Sequence, residues 1–132
     1  MCSSLRELDV SNWQIDNVTN LTGMFNNCLH LEALDLSSWK TSKCTNFSNM
    51  FSACRSLKTL DISNFDTSSA TTLSNMFQNC SSLVSISDID GWDTSKVTTL
   101  AGLFRYCNSL TTIPNLSNWD VSKVTTIEAM FD

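Results

Sequence analysis

Basic residues are scarce in this chain: eight Lys and Arg stand against thirteen Asp and Glu, for a net charge of −5. That balance argues against a general binder of nucleic acid or anionic membrane, which needs a clustered basic face to displace counterions. Proline occurs once and glycine three times in 132 residues. No charge run or low-complexity segment stands apart, so no linker divides the chain. No apolar run approaches the ~20 residues that cross a bilayer, which excludes a transmembrane helix and membrane insertion through one. The opening MCSSLRELDV lacks the apolar centre of a secretory signal. Histidine occurs once, as His30, and reads as a solvated residue between Leu29 and Leu31. The carboxylates have no nucleophile, Gly-rich phosphate loop or ligand motif beside them, so neither an enzyme nor a cofactor is expected. The six cysteines include no C-x-x-C pair, and neither a zinc knuckle nor a redox motif is encoded.

What the chain does have is one phrase, repeated. SNMFSAC at 48–54 returns as SNMFQNC at 74–80, with looser copies TGMFNNC at 22–28 and AGLFRYC at 101–107 and a clipped EAMFD at the end. Phe25, Phe51, Phe77, Phe104 and Phe131 are separated by 26, 26, 27 and 27 residues. The same step carries Trp13, Trp39, Phe65, Trp92 and Trp119, and the column Leu8, Leu34, Leu60, Ile86 and Ile113. The longer steps arise from one residue added inside ISDI (86–89) and IPNL (113–116). A period of this size marks a repeat architecture, in which no unit buries its apolar face alone and neighbours stack to share an elongated core. The boundaries fall near 3–28, 29–54, 55–80, 81–107 and 108–132, within a single repeat domain spanning 1–132. The first and last copies carry no polar cap, which suggests a segment of a longer array and leaves end-to-end self-association open as a partner mode.

Within one copy, Leu31, Leu34 and Leu36 follow L-x-x-L-x-L, the spacing of the strand that opens a leucine-rich repeat. After Trp39 come turn residues, then Cys44, Phe47, Met50, Phe51, Cys54 and Leu57 at steps that suit one or two turns of helix. The V-T-x-L segments fit a second short strand equally well. The expected fold is a leucine-rich-repeat solenoid, α/β to mainly β, of about five coils of 26–27 residues. One parallel sheet would line one side, with short convex helical turns or strands opposite. Cys2, Cys28, Cys54, Cys80 and Cys107 fall once per coil and read as buried, reduced thiols, with Cys44 as a small core residue.

LDLSSWKTSKCTNFSNMFSACRSL (34–57) and WDTSKVTTLAGLFRYCNSL (92–110) resemble the repeats of BspA-like leucine-rich repeat surface proteins, in particular the bacterial subgroup first catalogued as a domain of unknown function. The resemblance rests on W-D-T-S, V-T-x-L and M-F-x-x-C and covers nearly the whole chain. Phe65 stands for Trp, Cys44 and Ala70 for Val, and Leu103 for Met, all apolar for apolar. The resemblance implies a right-handed solenoid at the cell surface or secreted, serving adhesion to a protein or extracellular-matrix ligand.

The expected ligand-binding face is the outside of the strand column. Asp9, Asp35, Asp61 and Asp88 alternate with inward residues and should point outward, flanked by Glu7, Ser11, Ala33, Ser37, Thr59, Ser63 and Asp90. A ladder of like charges about 4.8 Å apart repels itself. A basic partner, a cation or serine hydrogen bonds would each relieve that repulsion; the alternative reading is that the aspartates serve only the turn that follows. One carboxylate per coil lacks the density of a calcium loop, so no metal is expected. Thr19, Thr45, Thr71, Thr98 and Thr125 form a second ladder, followed by Asn20, Asn46, Thr72, Thr99 and Thr126. It raises an ice-binding reading. Adjacent threonines on a strand would face opposite sides, however, so capping or turn bonding by the first Thr is the expected role. The leading function is a non-catalytic binding and adhesion module, the alternative a structural spacer or intracellular interaction scaffold, and ice binding a distant third.

Overall fold

The computed structural model describes residues 4–113 and 115–132. Cys2, the first of the cysteine column, and Pro114, inside the second insertion, lie outside them. Two strands form where Leu34 and Leu60 alternate with outward neighbours: β1 (Ala33–Asp35) and β2 (Thr59–Asp61). They pair in parallel, with Leu34 opposite Leu60 and Asp35 opposite Asp61. A parallel bridge between Ser85 and Thr112 resumes the same column. The sheet lapses between β2 and Ser85, where a 26-residue repeat meets the first longer one. There Asp88 takes a left-handed φ of 66°, so the added residue is absorbed as a local bulge.

A second ladder runs without a break. Asn20, Asn46, Thr72, Thr99 and Thr126 bridge in parallel from repeat to repeat. The V-T-x-L segments are therefore extended, the strand alternative.

The M-F-x-x-C stretch folds differently from the helix its spacing suggests. No helix occurs among the described residues; this stretch is a run of tight turns. Met50, Ser52 and Cys54 donate their N–H groups within the repeat, to the carbonyls of Phe47, Asn49 and Phe51 at 3.1–3.2 Å. Asn49, Phe51 and Ala53 donate instead to Ser74, Met76 and Gln78 of the next repeat, at 2.7–2.9 Å. A helix would turn every N–H onto its own carbonyls and leave the repeats unlinked. The alternation requires left-handed residues four apart, as at Asn49 (φ 58°) and Ala53 (φ 61°), then Asn75 (56°) and Asn79 (59°). Asparagine tolerates that region better than most side chains, which accounts for its frequency here. Gly102 (φ 61°) takes the position of Asn75 one repeat on, and a Cβ there would collide with the Asn75 side chain.

Stacked in this register, like side chains meet like. The rings of Phe25, Phe51, Phe77, Phe104 and Phe131 lie 5.5–5.7 Å apart, centroid to centroid, and nearly parallel. Trp13 stacks on Trp39 and Trp92 on Trp119, each pair at 6.2 Å. Thr41, Thr67 and Thr94 are buried among these apolar columns. Each hydroxyl donates to the carbonyl of Asp66, Asp93 or Asp120 in the following repeat, at 3.0–3.1 Å, so these three buried hydroxyls are satisfied.

Cys44, Cys54, Cys80 and Cys107 are free thiols. Cys54, Cys80 and Cys107 direct Sγ at the carbonyls of Phe25, Phe51 and Phe77, 3.0–3.2 Å away. Burial, reinforced by the Cys28 thiol nearby, pushes Cys54 up to about 12. Burial raises Cys107 to about 11 and Cys80 higher than its ordinary value.

Stability should follow position in the stack. Phe51→Ala, stripped of ring neighbours on both sides, is expected to cost about 3–5 kcal/mol in urea unfolding. Phe131→Ala, at an exposed ring with one neighbour, should cost far less; equal losses would contradict a shared core. Because burial holds Cys54 and Cys80 protonated, an aromatic disulfide reagent at pH 8 should label them slowly in the native protein and promptly in denaturant.

Candidate functional site

The strand column and its flanks form an open groove of about 680 Å³ on the outer face. Seven of the expected residues come together there: Glu7, Asp9, Asp35, Thr59, Asp61, Ser63 and Asp88, beside Ala33. Ser11, Ser37 and Asp90 are not part of its lining: Ser11 and Asp90 are exposed outside it, and Ser37 lines a separate hollow with Trp39, Asn64 and Asp66. Leu8, Leu34, Leu60 and Ser87 complete the lining and were not anticipated. Leu34 is buried and Leu8 and Leu60 are half-buried, as strand alternation requires. Ser87 was missed because the ladder was read through aspartates. Counted from Ser85, which bridges Thr112, Ser87 falls where Asp61 falls after Thr59, and Asp88 follows it at a left-handed φ of 66°.

The carboxylates are oriented by the next turn. Asp9 accepts from the Ser11 amide at 2.9 Å. Asp35 accepts from the Ser37 amide and hydroxyl at 2.9 and 2.6 Å, and Asp61 from those of Ser63 at 3.0 and 2.7 Å. Donation by the serine hydroxyl and then the amide holds Asp9 and Asp35 below the ordinary aspartate value. Turn bonding and outward display thus coexist in one side chain.

A parallel row stands at the next corner, where Asp66, Asp93 and Asp120 accept from the amides of Ser68, Ser95 and Ser122 at 2.9 Å. These carboxyls are lowered too, chiefly by the serines and further by Lys96 or Lys123. No cation contributes to the lowering of Asp9 or Asp35. Basic charge near the groove sits on its flank, where Arg6 and Lys58 pair with Glu32 at 3.4 and 2.9 Å. Such exposed pairs contribute at most about 1 kcal/mol. No group of acidic, Cys or His side chains suited to a metal occurs among the described residues.

The threonine ladder behaves otherwise than expected. In V-T-T-L both middle positions avoid the core: Val97 and Leu100 are buried, Thr98 is exposed and Thr99 half-buried. Thr45, Thr71, Thr98 and Thr125 donate their hydroxyls to the carbonyl of the same column one repeat earlier, at 3.0–3.2 Å. They neither cap a helix nor close a turn. The turn bond falls to the next column, where Asn20 and Asn46 accept from Thr22 and Ser48 at 2.9 Å.

Comparison with family models finds a match over residues 1–87 and again over 83–132, to the family described as Mycoplasma protein of unknown function, DUF285. No curated protein matches the chain.

Removing the serine donors should release the aspartate. In Ser37→Ala the Asp35 carboxyl loses its hydroxyl bond, and its pKa, followed by carboxyl NMR, is expected to rise toward 3.8. The sign for stability follows. A carboxyl lowered by folding stabilises the native state above its unfolded value near 3.8, and that contribution fades as pH falls through the lower native value. Acid unfolding of Ser37→Ala should accordingly lose part of its pH dependence below about pH 4.

Proposed function

The chain belongs to the DUF285 family, and we propose that it is a non-catalytic binding module: a leucine-rich-repeat solenoid of the BspA-like kind. It would serve adhesion at a cell surface, taking a protein or matrix ligand on its outer strand face. One observation carries the reading: acidic side chains from successive repeats converge on one open groove, with the half-buried Leu8 and Leu60 between them. An extended or flat partner with basic groups at a repeating interval would neutralise the row and cover the leucines together. The alternative, a spacer or scaffold, draws on the serine bonds, since carboxylates that close turns need no partner.

The two readings separate under charge removal. Asparagine closes the same turn in this chain, as at Asn46 and Asn115, so Asp→Asn keeps the bond while deleting the charge. Asp9→Asn, Asp35→Asn and Asp61→Asn combined should keep the fold but lower the thermal midpoint slightly at neutral pH, because the charge-assisted bonds from serine become neutral ones. The same variant should weaken capture by matrix and cell-surface proteins and flatten its salt dependence. Thr71→Ala with Thr98→Ala should leave capture in place. If no ligand of such a panel binds the unmodified chain, the adhesion reading fails and the spacer stands. Ice shaping lost with the threonines would replace both.

A further inference from the structure

Across the strand column, repeats of like length pair and repeats of unlike length do not. Between the second and third, Lys58 donates its N–H to the Glu32 carbonyl and Leu36 to the Asp61 carbonyl, each at 2.9 Å, on either side of the β1–β2 pair. The Asn64 side chain adds a bond to the Ser37 carbonyl at 2.6 Å. Between the fourth and fifth, which both carry the added residue, Ser85 bridges Thr112 and Thr111 donates to the Val84 carbonyl at 3.1 Å. The mismatch in length falls at one junction, between the third repeat and the fourth. Among the described residues no backbone bond or bridge joins 56–66 to 82–92. Gly91 stands where Asn64 does and has no side chain to reach back across.

The indole bond is lost at the same place. Trp39 and Trp119 donate Nε1–H to the carbonyls of Val10 and Ile89 in the repeat before, whereas the Trp92 Nε1 is buried with no partner. Phe65, its counterpart in the third repeat, packs against Phe47 at 5.9 Å. The opposite side of this junction is intact. Asn75, Phe77 and Asn79 donate to the carbonyls of Ala101, Leu103 and Arg105 at 2.8–3.0 Å, and Thr72 bridges Thr99. The rings of Phe77 and Phe104 lie 5.6 Å apart there. Two side-chain bonds flank the unpaired segment, from the Ser81 hydroxyl to the Arg55 carbonyl at 3.3 Å and from the Thr67 hydroxyl to the Asp93 carbonyl at 3.0 Å.

We infer that the solenoid is hinged between its third and fourth repeats, with the turn ladder as the hinge and the strand column as the edge that parts. Parting that edge breaks no backbone bond, and it brings water to an indole that is otherwise buried and unbonded. Ser63 and Asp61 line the groove from one side of the seam, Ser87 and Asp88 from the other, so opening widens the groove at that point. The hinge is a property of the stack and does not depend on what the groove binds.

Native-state hydrogen exchange of the unmodified protein, followed by NMR, tests this, since indole protons report the seam and turn amides report the hinge. The Trp92 Nε1–H, although buried, should exchange roughly ten-fold faster or more than those of Trp39 and Trp119. The amides of Asn75, Phe77 and Asn79 should keep the protection shown by Asn49, Phe51 and Ala53 one junction earlier. Deleting Asp88 returns the fourth repeat to 26 residues and moves the mismatch to the next junction, so Trp92 should slow and Trp119 quicken. Trp92 exchanging as slowly as Trp39 in the unmodified protein would overturn the inference. So would turn amides at 75–79 that exchange together with Trp92, because the repeats would then separate whole. Fast exchange at Trp92 that persists in a folded deletion variant would remove the length mismatch as its cause and overturn it as well. If the deletion variant does not fold, the comparison within the unmodified chain decides alone.

Discussion

Everything in this structure depends on the division of backbone donors in the turn segment. Alternate N–H groups close tight turns within a repeat and the remainder reach the next repeat, as Met50 and Phe51 do side by side. A repeat is therefore unsatisfied without its neighbour, and the fold propagates by register. A slip of one residue would exchange turn donors for linking donors and present the wrong side chains to the core. The 26–27-residue period in the sequence is the record of that constraint, and the insertions lie where the link is weakest, beside the strand column.

Given fixed register, each column must hold one volume, and departures are compensated nearby. Phe65 is smaller than the tryptophans of its column, and Phe47, larger than the leucine elsewhere in its own column, packs against it at 5.9 Å. The compensation is incomplete one repeat further on, where the Trp92 Nε1 is buried without a hydrogen-bond partner, whereas Trp39 and Trp119 reach the carbonyls of Val10 and Ile89. The buried Thr41, Thr67 and Thr94 follow the same logic. Their hydroxyls link repeats at a corner, and Ile15 and Val121 replace them in the first and last repeats.

The columns were legible in the sequence because they are a matter of period alone. The inward set, the outward aspartates and the buried cysteines all follow from spacing, and residues from Glu7 to Asp88 did assemble on one face. Local geometry was less legible. Apolar steps of three and four residues belong equally to an amphipathic helix and to consecutive turns, so the spacing around Met50 and Phe51 could not separate them. The asparagines could have. Asn27, Asn49, Asn75 and Asn79 sit where a left-handed residue is required, and Asn is the side chain that accepts it most readily. Ser87 was overlooked because an inserted residue can fall on either side of a column; Asp88, with its left-handed φ, lines the groove as expected, and Ser87 lines it as well.

The aspartates of the groove pose the question of what their charge is for. The turn they close asks only for a side-chain oxygen, and Asn20, Asn46 and Asn115 supply it elsewhere in the chain. Two rows nevertheless use Asp. In the row of Asp66, Asp93 and Asp120, Lys96 and Lys123 add to the lowering by serine and offset part of the repulsion between carboxylates. Asp9 and Asp35 draw on serine alone. Their charge exceeds what local structure requires and is left uncompensated on the face that carries the groove. Repulsion along the row opposes stacking of repeats, yet the serine donors hold Asp9 and Asp35 below the ordinary aspartate value, so at neutral pH the bonds to the turn outweigh it and each carboxylate stabilises the repeat that carries it.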